Sequence, residues 1–192
     1  MNESLYGLIL CGGVSSRLGQ DKYLLLKDNK PLYKWWIDQL NPFCTKVYIS
    51  CRKEQISKIK SDAIIPDQSD ETGPLEGIYR AFKYNKQVNW LVVAVDLVFI
   101  KEKQLQNLIL HNHPPYDAIA YRNPNTGDPF PLCSIYRISA LPEIESQYYS
   151  KLKSPRLVLQ SLNTLLLEIN EPKSLEGINT RMDFELWNHD SI

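Results

Sequence analysis

Leu8-Ile9-Leu10-Cys11-Gly12-Gly13-Val14-Ser15-Ser16-Arg17-Leu18-Gly19-Gln20-Asp21-Lys22 joins two very different kinds of chain. The apolar run from Leu5 to Cys11 reads as a buried strand. It gives way at once to a loop that holds Gly12, Gly13 and Gly19 together with Ser15 and Ser16. Glycine accepts positive φ and has no Cβ, so such a loop can turn its backbone N–H groups toward a ligand. Arg17 and Lys22 place two cations beside those donors, a combination suited to the charged oxygens of a nucleoside triphosphate. A plain tight turn would use the same glycines, so the loop by itself leaves both readings open. It holds neither G-x-x-x-x-G-K-[ST], because Gln20 and Asp21 separate Gly19 from Lys22, nor G-x-G-x-x-G.

Outward from this loop the chain alternates. Pro31 to Leu40 reads as a helix, with proline in its first turn and Leu32, Trp36 and Leu40 recurring on one face; the tryptophans read as core. Lys46 to Cys51 is a second strand, a polar helix runs through Gln55 and Ile59, and Ala63-Ile64-Ile65 is a short third strand ending at Pro66-Asp67. After a polar loop from Gln68 to Thr72, Gly73-Pro74-Leu75-Glu76-Gly77-Ile78 opens a helix marked by Ile78, Ala81 and Phe82. Trp90 to Val95 is the most apolar strand and runs straight into Asp96. A helix over Lys101–Leu110 follows, stopped by Pro114-Pro115, then strands over Asp117–Tyr121 and Leu132–Arg137 around a turn at Arg122–Asp128. Helices through Leu141 and Ile144 and over Pro155–Leu162, a last strand at Leu165–Ile169 and a capping box at Thr180–Asp183 complete the pattern. Alternating β and α elements predict a single α/β domain over residues 1–192, a three-layer α/β/α arrangement with a Rossmann-like, mostly parallel sheet. Ligands of such sheets sit at the carboxyl ends of the strands, where Gly12, Asp67 and Asp96 can converge.

Bulk composition narrows the function. With 192 residues, 43% of them hydrophobic, the chain can build one good core. Lys+Arg and Asp+Glu both number 22, so there is no basic excess for general binding to nucleic acid or an anionic membrane. Any anion site is local. Cys11, Cys44, Cys51 and Cys133 form no C-x-x-C pair and read as buried free thiols of a reducing compartment. His111 and His113 sit beside Pro114 and Pro115 at a helix end with no Cys or Glu cluster to complete a zinc site. No basic leader and no run of membrane-spanning length stands out, so a cytoplasmic protein is expected.

The whole string L-x-G-G-x-S-x-R-L-G-x-D-K is far more specific than its glycines. It resembles the signature of nucleotidyltransferases that cap a phosphorylated acceptor with an NMP, and within them the molybdenum cofactor guanylyltransferases. Gly73-Pro74-Leu75-x-Gly77 matches that family's G-P-L-x-G segment, which lines the nucleotide site; a Pro-Gly turn is the alternative reading. Asp67 matches an aspartate that contacts the nucleotide, against a simple turn carboxylate. Asp96 falls where the family has a Mg²⁺-binding aspartate, against a turn cap, although Val98 stands in place of the usual proline. Ser50 and Cys51 occupy a region where the family often has a base- or ribose-reading asparagine, and serine offers one hydroxyl in place of an amide. Phe130 replaces a family histidine, while Ile178-Asn179-Thr180 keeps an asparagine and threonine of N-x-N-T-P; Asn179 is either an acceptor-pocket residue or a loop cap.

The resemblance implies a fold of the nucleotide-diphospho-sugar transferase type, GTP and molybdopterin as substrates, Mg²⁺ as cofactor, and molybdenum-insertion proteins as candidate partners. Its nucleotide site would comprise Leu10, Cys11, Gly12, Gly13, Ser15, Arg17, Lys22, Ser50, Asp67, Gly73, Pro74 and Leu75, with Arg17, Lys22 and Asp96 catalytic, Asp96 on the metal and Asn179 on the acceptor. The N-terminal half would bind nucleotide and the C-terminal half the acceptor. Three alternatives stand beside guanylyl transfer. Cytidylyl relatives have T-A-A-G where this chain has Leu10-Cys11-Gly12-Gly13, and they lack G-P-L-x-G. Sugar-phosphate nucleotidyltransferases usually need a longer acceptor-binding half. A catalytically silent nucleotide-binding module would suit the departures at Ser50, Val98 and Phe130 but not the intact Arg17, Lys22 and Asp96.

Overall fold

A computed structural model describes residues 3–12, 20–69, 73–150 and 153–189. Strand β1 (Leu5–Leu10) is followed by a short hairpin of β2 (Leu26–Lys27) and β3 (Lys30–Pro31), then helix α1 (Leu32–Leu40) and β4 (Lys46–Cys51). β5 (Ile64–Pro66), α2 (Pro74–Tyr84), β6 (Asn89–Ala94), α3 (Glu102–Leu110), β7 (Ala118–Arg122) and β8 (Pro129–Tyr136) come next. The chain continues through α4 (Leu141–Tyr149), α5 (Pro155–Ser161), β9 (Thr164–Leu167) and α6 (Arg181–His189).

Seven strands make one sheet in the order β5-β4-β1-β6-β8-β7-β9. Every pairing is parallel except those of β8, which runs against both β6 and β7 because the Arg122–Asp128 turn folds the chain straight back. Side chains alternate across a strand, and the central strands β1 and β6 carry apolar side chains on both faces, so both faces must be covered. Ile9, Leu91 and Val93 face a core shared with Leu32, Trp36 and Leu40 of α1 and Leu105 and Leu108 of α3. Leu8, Trp90 and Val92 face a second core with Ile78 and Phe82 of α2, Ile144 of α4 and Val158 of α5. These are the three expected layers.

Several details differ from the sequence reading. The expected polar helix after β4 is a 3₁₀ helix over Lys53–Lys58 that stops one residue short of Ile59, since it has too few apolar positions to seat a longer one. The β2–β3 hairpin was not expected; its turn places Asp28 and Asn29 at φ of 50° and 60°, a conformation that short polar side chains tolerate. β8 starts at Pro129, three residues before the expected Leu132, and its pairing with β7 shifts register between Ala120 and Tyr121.

From β1 the chain moves outward through β4 to β5 and then returns to β6 on the other side of β1. That reversal leaves a crevice at the carboxyl ends of β1 and β6, the place where open α/β sheets bind ligands. The register brings the ends level, with Leu10 opposite both Ser50 and Ala94. Trp36, fully buried, donates its indole N–H to the Val95 carbonyl at 3.0 Å and so fixes the chain one residue before Asp96. None of the described helices is long and apolar enough to cross a membrane.

Candidate active site

The crevice holds a cavity of about 250 Å³. On one wall, Cys11 donates its backbone N–H to the Ser50 carbonyl at 2.8 Å, closing the gap between β1 and β4. Gln55, almost wholly buried, braces the same wall: its amide donates to the Cys11 carbonyl at 3.3 Å and accepts the Arg52 N–H at 2.9 Å. Ser50 Oγ donates to Asp67 Oδ1 at 2.7 Å, which leaves Oδ2 turned toward Gly12. A Cβ on Gly12 would lie 2.7 Å from that oxygen, so only glycine lets the loop and the carboxylate come together here. Burial pushes the Cys11 thiol well above its ordinary range, so it stands in this wall as a neutral group and not as a nucleophile.

The start of α2 forms the next side. Gly73 takes a φ of 56° to turn the chain into the helix, and Pro74 follows where no backbone N–H is needed. Gly77 has no room for a side chain, because a Cβ would lie 2.6 Å from Leu10 Cδ2 and well inside contact with Ser50 Oγ. Glu76, 1% exposed, is the peg of this region. Its Oε1 accepts the Gln68 N–H and the Arg80 Nε–H, both at 2.8 Å, and its Oε2 accepts the Tyr148 hydroxyl at 2.7 Å. The segment after Asp67 is thereby tied to α2 and, through Tyr148, to α4.

Opposite lies a cation–carboxylate pair. Lys22 Nζ donates to Asp96 Oδ2 at 2.7 Å and to Asn179 Oδ1 at 3.1 Å. Both Lys22 and Asp96 are four-fifths or so buried, with side chains 19% and 24% exposed. The Asp96 carbonyl accepts the Ile178 N–H at 3.0 Å, and a Cβ on Gly177 would come within 2.9 Å of Asp96 Oδ2, so the C-terminal segment closes directly onto this carboxylate.

Among the described residues no group of three or more His, Cys, Asp or Glu side chains could cage a metal ion. That donor set does not suit zinc or calcium, which take three or more protein ligands. It does suit Mg²⁺, a hard cation that is commonly held by one or two carboxylates, with water and substrate phosphate completing its shell. Asp96 already carries a cation, the Lys22 ammonium, on the oxygen that would serve.

Leu10, Cys11, Gly12, Lys22, Ser50, Asp67, Gly73, Pro74 and Asp96 all line this one cavity. Leu75 does not; its side chain is fully buried in the core beneath α2. Asn179 reaches the site through Lys22. Gly13, Ser15 and Arg17 lie outside the described residues. Arg52, Ser69, Gly77 and Leu132 also line the cavity, and sequence reasoning missed them as site residues. Gly77 was within reach, since it belongs to the G-P-L-x-G segment. Arg52 lies just past the end of β4; its Nη1 pairs with Glu54 Oε1 at 3.1 Å, while its buried Nε has no hydrogen-bond partner among the described residues. Leu132 enters the cavity from the part of β8 that shifts register, which no sequence pattern marks.

Comparison with known proteins gives concordant results. The MobA-like NTP transferase domain matches residues 7–165. A molybdenum cofactor biosynthesis bifunctional protein of Synechocystis sp. is 30% identical over 182 residues, covering 94% of this chain and 52% of that protein, so the chain spans about half its length. A probable molybdenum cofactor guanylyltransferase of Flavobacterium johnsoniae is 27% identical over 191 residues, covering 94% of this chain and 99% of the relative. In structure, molybdopterin-guanine dinucleotide biosynthesis protein A from Archaeoglobus fulgidus superposes with a TM-score of 0.78 at 24% identity, covering 96% of this chain and 97% of the other; at that identity the likeness speaks for the fold.

Proposed function

The chain belongs to the MobA-like NTP transferase family, and from that premise we propose that it transfers GMP from GTP to the terminal phosphate of molybdopterin, releasing pyrophosphate. The relatives named as guanylyltransferases support this reading of the substrates. The observation that carries it is the Lys22–Asp96 pair at the carboxyl ends of β1 and β6, 2.7 Å apart and facing Gly12 and Asp67 across one cavity.

An acceptor phosphate oxygen attacks the α-phosphorus in line, and the bond to the β-phosphate oxygen breaks as pyrophosphate leaves. Phosphate monoesters are largely ionised at neutral pH, so the acceptor brings its own nucleophile and no general base is required. Lys22, and Arg17 from the preceding loop, neutralise charge that builds on the triphosphate and the leaving group. Asp96 is the residue that would hold Mg²⁺, which when bound supplies charge neutralisation on phosphate oxygens. The Ser50–Asp67 pair lies on the wall where base and ribose would rest, and Gly73 and Pro74 present the start of α2 to the nucleotide. Catalysis is then positioning and electrostatics without a covalent enzyme intermediate. In this reading residues 1–192 work as one nucleotidyltransferase domain, with the acceptor entering from the C-terminal half beside Asn179. Molybdenum-insertion proteins would hand on the acceptor, in the cytoplasm, where thiols such as Cys11 and Cys51 stay reduced.

Equilibrium titration with GTP, CTP, UTP and ATP, with and without Mg²⁺, tests the nucleotide assignment. GTP should bind at least ~10-fold more tightly than the others, a difference of about 1.4 kcal/mol, and Mg²⁺ should strengthen it. A preference for CTP, or no binding of any triphosphate, would contradict the reading.

A further inference from the structure

Two groups that accept from the Lys22 ammonium lie far along the chain, Asp96 by 74 residues and Asn179 by 157. Asn179 sits on an irregular segment between the 3₁₀ turn at Pro172–Leu175 and α6, and irregular backbone keeps a fixed course only if something outside it supplies hydrogen bonds. Part of that support comes from the Ile178 N–H on the Asp96 carbonyl. More comes from Asp183, in the first turn of α6. Its Oδ2 accepts the backbone N–H of Asn179 at 3.0 Å and of Thr180 at 2.8 Å, while Thr180 Oγ1 accepts the Asp183 N–H at 3.1 Å. This is a reciprocal capping box. The Asn179 amide is fixed in turn: its Nδ2 donates to the Gly177 carbonyl at 3.0 Å, which leaves Oδ1 facing Lys22.

A lysine head on four rotatable bonds has many places to go, and an acceptor on each side removes most of them. Asp96 provides one acceptor and the amide of Asn179 a second. Asp183 is not among the residues that line the cavity. We infer that Asp183 is a positioning residue for Lys22, fixing through the backbone of Asn179 and Thr180 the amide oxygen that receives the ammonium, and so aiming Lys22 into the nucleotide site. The carboxyl group is held below its ordinary range, chiefly by the Asn179 N–H and then by the Thr180 N–H, so the acceptor is fully charged at neutral pH. The inference rests on the role given to Lys22 above. It goes further in making the C-terminal capping box part of the catalytic apparatus and not only the start of a helix.

The test follows the Lys22 ammonium directly, by NMR of protein labelled with ¹⁵N-lysine and free of nucleotide. The Lys22 signal is identified by its loss in Lys22→Ala. It should be present and slow to exchange in the unaltered protein and in Asp183→Asn, which keeps an acceptor oxygen. It should be lost to exchange with water in Asp183→Ala and in Asn179→Ala, the second of which leaves the capping box intact. In turnover, Asp183→Ala should lower kcat on the order of ten-fold, with KM for GTP within about two-fold, as expected when a catalytic group is misaimed and not removed. In the Lys22→Ala background the same substitution should do nothing more. A Lys22 signal unchanged in both Asp183→Ala and Asn179→Ala, or an equal loss of kcat with and without Lys22, would overturn the inference and leave Asp183 a helix cap only. If the NMR result holds but the unaltered protein transfers no GMP, the guanylyl reading fails and the positioning of Lys22 stands.

Discussion

Gly77 and Lys22 show how much hangs on single side chains here. Gly77 is shut in by Leu10 and Ser50, so Gly77→Ala must push α2 away from β1 or drive Ser50 off Asp67. Overpacking of this kind costs about 1–3 kcal/mol, which urea denaturation will read, and nucleotide affinity should fall with it. Lys22→Ala and Asp96→Ala are expected to lower turnover by roughly 10²–10³-fold each, the scale for removing one preorganised charge-stabilising group. Their melting temperatures should stay near that of the unaltered protein, because both side chains sit at the edge of the cavity and not in either core. Undiminished turnover in both variants would contradict the roles given to them. Lys22, Asp67, Asp96 and Gly12 could be found from sequence because each lies in a motif or directly after an apolar strand. Asp183 was legible as half of the Thr180–Asp183 capping box, but its link to Lys22 through Asn179 was not. Gln55 and Glu76 could not be found as supports of the site, since each reaches backbone or side chains far along the chain and that leaves no pattern. Leu75 fell inside a site motif yet points into the core, since neighbouring positions of a helix face different ways and Leu75 lies on the apolar side of α2.

At the scale of elements, Glu171 joins the start of α3 to the 3₁₀ turn that leads toward Asn179. It accepts from Lys101 Nζ at 2.6 Å and also pairs with Lys103. The two hydrogen-bonded ammonium groups hold its carboxyl at about 2, against an ordinary value of 4.5. A carboxyl group with a depressed folded-state value stabilises the fold above the unfolded value and loses that contribution as pH falls through the folded one. The difference in melting temperature between the unaltered protein and Glu171→Gln should therefore be present at pH 6 and shrink between pH 4.5 and pH 2. Added salt should reduce it at every pH, because the pair is solvent-exposed. A difference that persists at pH 2 would contradict this account. The strands and longer helices were readable because continuous apolar runs and a four-residue recurrence are strong local signals. The β2–β3 hairpin was not, since strands of two residues each carry too little pattern to be seen. The early start of β8 was hidden by Pro129 and Pro131, which local propensity places in a turn and pairing with β7 places in a strand.

For the whole molecule, the sheet order explains why residues so distant in sequence meet. β1 and β6 are neighbours although four strands and the helices α1 and α2 come between them in the chain, and their level carboxyl ends bring Gly12 and Asp96 to one crevice. The parallel half of the sheet follows from alternating elements in the sequence, whereas the antiparallel β8 depends on how one turn folds back. A ligand that binds only the folded state raises stability by mass action, by about 2.7 kcal/mol at a hundred times its Kd. GTP with Mg²⁺ should therefore raise the melting temperature by several degrees, and Mg²⁺ alone should do far less, since the single carboxylate at Asp96 is already paired with Lys22. An equal shift from Mg²⁺ alone would point to a metal site independent of nucleotide. The central claim is that this crevice catalyses guanylyl transfer, and the most direct measurement supplies GTP labelled at the α-phosphate together with Mg²⁺ and molybdopterin, then follows the label. The account predicts label in a molybdopterin-guanine dinucleotide with one pyrophosphate released for each, and loss of both in Lys22→Ala. Label that stays on GTP, or moves only when CTP is supplied in its place, would contradict it.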